Sequence, residues 1–205
     1  MSSKRWLNEH HSDEYVKRAR EQGYASRAAY KLLELDTKDK FLKPGMTIVD
    51  LGAAPGGWSQ VAMEKIGRNG RVFGLDLLPM DPIDGVTFIQ GDFTEQQVID
   101  NLLAVIGESR VDLVMSDMAP NISGNKSVDQ PRSVYLVELA LDCAYNLLDK
   151  NGTFLAKVFQ GEGVDTLCTV MKRHFKTVKI RKPKASRARS SEIYIFATGF
   201  IGYNG

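Results

Sequence analysis

One short segment limits this chain more than any other: Val49-Asp50-Leu51-Gly52-Ala53-Ala54-Pro55-Gly56-Gly57-Trp58-Ser59-Gln60. An apolar run ends in an acid, crosses a loop of Gly, Ala and Pro, and enters a helical pattern. A strand–loop–helix of this kind opens a nucleotide-type α/β fold. Small residues in the loop let a ligand approach the backbone, and the helix N-terminus behind them favours polar or anionic groups. The glycines do not follow G-x-G-x-x-G, so a dinucleotide fits poorly.

The rest of the chain continues the alternation. Tyr24–Leu35 has apolar residues near helical spacing, with Ser26 as a candidate N-cap. Strands are expected at Thr47–Leu51, Arg71–Leu75, Val86–Gln90, Val111–Met115 and Thr153–Val158. Helices are expected at Trp58–Ile66, Glu95–Ile106, Arg132–Leu148 and Val164–His174, with Ser123–Pro131 as a polar loop. Two strands in succession, Thr177–Arg181 and Glu192–Ala197, close the chain. The pattern predicts a Rossmann-like, doubly wound, mostly parallel seven-stranded sheet with an antiparallel edge strand. With 205 residues, 43% of them hydrophobic, one core is the expectation. A basic helical lead-in over 1–43 then precedes a Rossmann-like core over 44–205.

Net charge is only +2, so the distribution of charge carries more than its sum. Lys179, Arg181, Lys182, Lys184, Arg187 and Arg189 follow one another without an acid. Lys4, Arg5, Lys17, Arg18, Arg20, Arg27 and Lys31 load the N-terminal region. Cys143 and Cys168 lack metal or redox spacing and read as buried thiols. His10, His11 and His174 make no metal set. No apolar run has signal-peptide or membrane length, and a cytoplasmic protein is expected.

In open α/β sheets, ligands gather at the carboxyl ends of the strands. Asp50, Asp76, Asp92, Asp117 and Lys157 fall at or near such ends. Acids crowded there would be desolvated beside one another, which folding alone does not explain. The loop reads as one for S-adenosylmethionine, with Gly52, Ala53, Pro55, Gly56, Gly57 and Trp58 around it. Asp76, followed by Leu77, stands at the spacing of a ribose-hydroxyl acceptor. Asp92 is a candidate acceptor for an adenine amino group, with Phe93 packing beside it. Each acid alone would serve as a helix cap; several in consecutive loops favour a ligand. Lys157 sits inside Phe154-Leu155-Ala156-Lys157-Val158-Phe159, where an edge-strand or snorkelling lysine competes with a functional base.

These segments together resemble the FtsJ family of RNA ribose 2′-O-methyltransferases. The resemblance is carried by Ser26–Leu32, Asp50–Gln60, Asp76–Met80, Gln90–Phe93, Met115–Asn121, Lys157–Gly161, and Arg181–Pro183 through Ser186–Glu192. It spans nearly the whole chain in order. The family's Lys-Asp-Lys-Glu tetrad falls on Lys31, Asp117, Lys157 and Glu192. The resemblance implies S-adenosylmethionine as cofactor, with Asp117 beside the methyl group as well as in the tetrad. It implies Lys157 as proton acceptor and Asp117 as its orienting partner. Nearby Lys31 favours loss of a proton from Lys157, whereas Asp117 and Glu192 favour its retention; the sequence leaves that balance open. The implied substrate is a uridine ribose in 23S ribosomal RNA, within the 50S subunit, methylated by a monomer that needs no metal.

The 2′-hydroxyl separates RNA from DNA. Arg27, Lys31, Lys182, Arg187 and Arg189 are the candidate RNA contacts. Trp6 and Tyr194 are candidates to stack on bases, with core packing the rival for Tyr194. A metabolite methyltransferase would share the fold and cofactor but leave the basic segment without a purpose. A tRNA or mRNA-cap 2′-O-methyltransferase would share the tetrad. A non-catalytic RNA-binding or assembly protein would have no need of both loop and tetrad.

Overall fold

The computed structural model describes residues 13–187 and 189–202. Two helices come first, α1 (Glu14–Gln22) and α2 (Ala29–Asp39). Then follow β1 (Thr47–Leu51), α3 (Gly57–Ile66), β2 (Arg71–Asp76), β3 (Val86–Gln90), α4 (Gln96–Ile106) and β4 (Val111–Ser116). The chain continues with α5 (Lys126–Leu147), β5 (Leu148–Phe159), α6 (Val164–Met171), β6 (Phe175–Arg181) and β7 (Glu192–Phe200). The sheet order is β3-β2-β1-β4-β5-β7-β6. The first five strands pair in parallel, and β7 runs antiparallel between β5 and β6. The antiparallel pairing expected at the end of the chain therefore occupies one side of the sheet.

Alternation along β1 sorts its side chains onto two faces. Val49 and Leu51 join the core under α4, α5 and α6. Ile48 joins Leu32, Trp58, Val61, Leu113, Leu155 and Tyr194 under α2 and α3. β1 is buried along its whole length, as a central parallel strand must be. Asp50 shares the face of Ile48 and is 1% exposed.

Three boundaries differ from the sequence expectation. The helix expected over Tyr24–Leu35 runs instead from Ala29 to Asp39, because Ser26 forms a local turn. Its hydroxyl accepts from the Ala28 amide at 3.3 Å and caps no helix. The expected loop Ser123–Pro131 is helical from Lys126. Asn125 accepts from the Ser127 amide at 3.1 Å, and Asp129 accepts from the Ser123 and Gly124 amides. These caps offset the N–H that Pro131 lacks. Asn151-Gly152, between the expected helix Arg132–Leu148 and the expected strand Thr153–Val158, lies inside β5. Asn151 is left-handed there (φ 68°), and the β4–β5 register shifts between Val111 and Leu113. That excursion absorbs residues the ladder does not need.

Candidate active site

Four charged side chains meet at the carboxyl end of the sheet, on the α2/α3 face. Lys157 comes from β5 and Asp117 from the residue after β4. Glu192 begins β7, and Lys31 reaches across from α2. Lys157 Nζ lies 3.1 Å from Asp117 Oδ1 and 3.9 Å from Glu192 Oε1. It also donates to the Asp117 carbonyl oxygen at 2.5 Å. Lys31 Nζ lies 3.5 Å from Asp117 Oδ2 and 3.3 Å from Glu192 Oε2. Each ammonium thus faces both carboxylates, and the charges balance two against two. Both lysines are buried, at 8% and 7% exposure, where unpaired charge would be costly.

Register explains the convergence. Lys157 pairs with Tyr194, and Phe159 with Glu192. Glu192 and Tyr194 are two residues apart on one strand and share a face. The Tyr194 hydroxyl donates to Asp117 Oδ1 at 2.6 Å, and its ring lies 5.9 Å from Lys31 Nζ. Burial first, then the Asp117 carboxylate, pushes the Tyr194 phenol well above its ordinary range, so it stays a donor. Tyr194 packs in the core and is not placed to stack on a base. Its bond to Asp117 escaped the sequence analysis, although the i, i+2 spacing from Glu192 was a usable signal.

The glycine loop lies beside the tetrad. Ser26, Asp50, Gly52, Ala53, Pro55, Gly57, Trp58 and Asp117 all line one cavity of about 110 Å³. Gly52 and Gly56 hold positive φ, at 75° and 111°. A Cβ on Gly52 would lie 2.2 Å from Met118 Cγ, and one on Gly56 would lie 2.4 Å from Ile83 Cδ1. Met118, Met80 and Ile83 over these glycines were not foreseen. Trp58 is buried, donates from Nε1 to the Ala28 carbonyl at 2.9 Å, and stands 5.8 Å from Tyr194. It ties α2 to the loop helix α3.

The flanking acids behave differently from one another. Asp76 accepts from the Ala54 amide at 2.9 Å and the Leu78 amide at 2.8 Å, which fixes it against the loop. Leu77 beside it is exposed. Asp92 is bound into a local turn by the amide and hydroxyl of Thr94, with Phe93 packed on the neighbouring core. Asp50 accepts from the Ser59 hydroxyl at 2.7 Å. Burial first, opposed by the Ser59 hydrogen bond and reinforced by Asp117 and Asp76, lifts its carboxyl to about 7. In sequence Asp50 stands out only as a strand-end acid, with no local feature that assigns it to the site. A sulfonium nucleoside fits this donor set. The glycines leave room at the backbone, Asp50 and Asp117 line the cavity, and Asp76 and Asp92 flank the loop as candidate acceptors for hydroxyl and amino groups.

The expected RNA contacts are only partly free for RNA. The Arg27 guanidinium is hydrogen-bonded to Asp13 and to the Ala185 carbonyl. Asp13 also pairs with Arg187 at 3.5 Å. Arg27 therefore ties the start of α1 to the loop before β7. Arg27→Ala should lower unfolding stability by about 2 kcal/mol, the range for hydrogen bonds to charged groups. Chemical denaturation checks this, and an unchanged midpoint would leave Arg27 as an RNA contact only. Lys182 and Arg189 are exposed; Lys182 donates to the Ser190 carbonyl at 2.7 Å. Trp6, Lys4, Arg5, His10 and His11 lie outside the described residues. Among the described residues, no group of acids, cysteines and histidines is arranged to hold a metal.

A doubly wound sheet, a glycine cradle at its topological switch and a lysine–carboxylate tetrad define a Rossmann-like methyltransferase. The sequence pattern of FtsJ-like methyltransferases matches residues 24–200, and the chain belongs to that family. It is 62% identical over 201 residues to the ribosomal RNA large subunit methyltransferase E of Hahella chejuensis, covering 98% of each chain. A crystal structure from Plasmodium falciparum, described as a ribosomal RNA methyltransferase, is 36% identical with a TM-score of 0.79. That match covers 88% of this chain and 100% of the other. A Lactococcus lactis structure described as a hemolysin shares the fold alone, at 17% identity and a TM-score of 0.61, over 85% of this chain and 88% of its own.

Proposed function

We propose that this protein transfers the methyl group of S-adenosylmethionine to a ribose 2′-hydroxyl of large-subunit ribosomal RNA, a uridine in the 23S molecule of the 50S particle. The observation that carries the proposal is the tetrad, a buried pair of lysines interleaved with two carboxylates beside the glycine cradle. The names of the 62% and 36% identical relatives support the same substrate class.

When bound, S-adenosylmethionine supplies an electrophilic methyl group on a positively charged sulfur. Gly52, Ala53, Pro55, Gly56 and Gly57 leave room for it at the backbone, Trp58 braces the loop from behind, and Asp76 and Asp92 accept from its hydroxyl and amino groups. Leu77 and Phe93 flank those acids. Lys157 receives the hydroxyl proton at Nζ, and Asp117 holds Lys157 in place through both its carboxylate and its carbonyl. Tyr194 in turn fixes the Asp117 carboxylate. Lys157 can take the hydroxyl proton only as the neutral amine, so one proton must first leave the otherwise charge-balanced tetrad. Lys31, on the far side of both carboxylates, keeps them from drawing that proton back. A cytoplasmic monomer acting without a metal is the simplest working form, and no helix among the described residues is long and apolar enough to cross a membrane.

Methyl transfer from labelled cofactor to purified 50S particles, free ribosomal RNA and tRNA tests the proposal, with the modified nucleotide mapped. Label on tRNA alone, or on no RNA, would overturn it. Cofactor affinity gives a second measurement. Gly56→Val should obstruct the cradle, and Asp76→Ala should weaken binding by about 1–3 kcal/mol. Calorimetry returning wild-type affinity for both variants would move the cofactor site elsewhere.

A further inference from the structure

A second concavity, about 410 Å³ in volume, lies along α2 on the turns that follow Lys31. Its walls include Glu34, Leu35 and Lys38 of α2 and Lys182, Pro183 and Lys184 of the segment after β6. Lys31, Glu34, Leu35 and Lys38 are spaced by three, four and seven residues, so they form one stripe of the helix. The groove is thus a prolongation of the face that presents Lys31 to Asp117 and Glu192.

Its walls are fixed internally. Arg181 forms a two-pronged pair with Asp39, both contacts at 2.7 Å. Glu34 accepts from the Ala185 amide and the Tyr15 hydroxyl, each at 3.2 Å. Lys182 holds the Ser190 carbonyl. Both acids near the groove are therefore engaged with the protein itself. Lys38 and Lys184 are exposed, and neither forms an ion pair among the described residues. Lys179 and Lys38 add to Arg181 in holding the Asp39 carboxyl below the usual carboxylate range. The result is a rigid concavity with surplus positive charge.

We infer that this groove grips the RNA strand flanking the methylated ribose, with Lys38 and Lys184 on its phosphates. The inference rests on the reading of the tetrad as an RNA 2′-O-methylation centre. Seven helical residues separate Lys31 from Lys38, a rise of about 10 Å. A stacked strand advances roughly 3.4 Å per nucleotide, so the groove meets a phosphate about three nucleotides from the target. A lysine pair suits this task, because point charges on flexible stems hold phosphates without reading bases. Lys182 is occupied with Ser190, so its part is to shape the loop.

The test is the double variant Lys38→Ala/Lys184→Ala, measured by filter binding to naked large-subunit ribosomal RNA across a salt series. The slope of log affinity against log salt should become shallower by about two units, one per lost contact. Lys38→Arg/Lys184→Arg should keep the wild-type slope. Cofactor affinity and thermal midpoint should not move, since both side chains are exposed. A wild-type slope in the alanine variant would overturn the groove while leaving the proposed activity standing. A shallower slope on 50S particles but not on naked RNA would overturn it too, assigning the groove to a ribosomal protein. Wild-type enzyme that methylates no ribosomal RNA would remove the activity and the groove together.

Discussion

Lys157→Ala is expected to slow methyl transfer by about a thousandfold or more while cofactor binding survives. A positioned base contributes on the order of 10²–10⁴ in rate, and a thousandfold corresponds to roughly 4 kcal/mol in the transition state. The site gives Lys157 no substitute. Lys31 contacts both carboxylates from the other side, and the Tyr194 phenol is committed to Asp117. Removing Lys157 also leaves two carboxylates facing one lysine, which works against a nucleophilic oxygen in the same space. Single-turnover transfer of labelled methyl is the measurement, since it separates chemistry from product release. A rate near wild type would remove Lys157 from the reaction. Lys157→Arg sharpens the result, because an arginine keeps the charge but does not give up its proton. If Lys157 is a base, the arginine variant is as slow as the alanine one. If it steers a lone pair of the hydroxyl as an ammonium, the arginine variant retains part of the rate.

The sheet and the order of its elements could be read from the chain because each leaves a local mark, whereas the four tetrad residues were named as a set only by the family resemblance. A central parallel strand is apolar along its length, and an acid or lysine at its end stands out against that background; Lys157 after Phe154-Leu155-Ala156 is the clearest instance. What could not be read were relations across strands. The Tyr194–Asp117 hydrogen bond joins β7 to the residue after β4, and only register brings them together. Asp13 taking up Arg27 joins residues on either side of α1 and contradicts nothing local, yet it changes what Arg27 is free to do. The helical start at Lys126 was hidden by Pro131, whose lost hydrogen bond the Asn125 and Asp129 caps offset. Asp50 looked like one strand-end acid among several, and only burial sets it apart.

That burial gives the second large effect, a stability difference between Asp50→Asn and wild type that grows with pH. In the unfolded chain the Asp50 carboxyl titrates near 3.8; in the folded protein it is raised to about 7, by burial above all and then by Asp117 and Asp76 against the Ser59 hydrogen bond. Between about pH 4 and pH 7 the folded state therefore holds a proton that the unfolded state has released. Stability falls wherever the folded state binds more protons, so this group's contribution declines as pH rises through that window. The full effect, about three pKa units at 1.36 kcal/mol each, is on the order of 4 kcal/mol above pH 7. Asparagine keeps an oxygen to accept from Ser59 and carries no charge. Its advantage over wild type should be small at pH 4.5 and approach that magnitude at pH 8, read as the difference between two denaturation series. Titrating groups that do not interact with Asp50 are common to both proteins and cancel, so the difference reports Asp50 together with its coupling to Asp117 and Asp76. A difference that stays constant from pH 4.5 to pH 8 would show that Asp50 is ionised throughout. Asp50 lines the cavity of the glycine loop, where the proposed sulfonium would sit. Saturating S-adenosylmethionine should accordingly narrow the gap at pH 8, because its sulfonium favours the ionised carboxylate. The demethylated product, with neutral sulfur, should narrow it less.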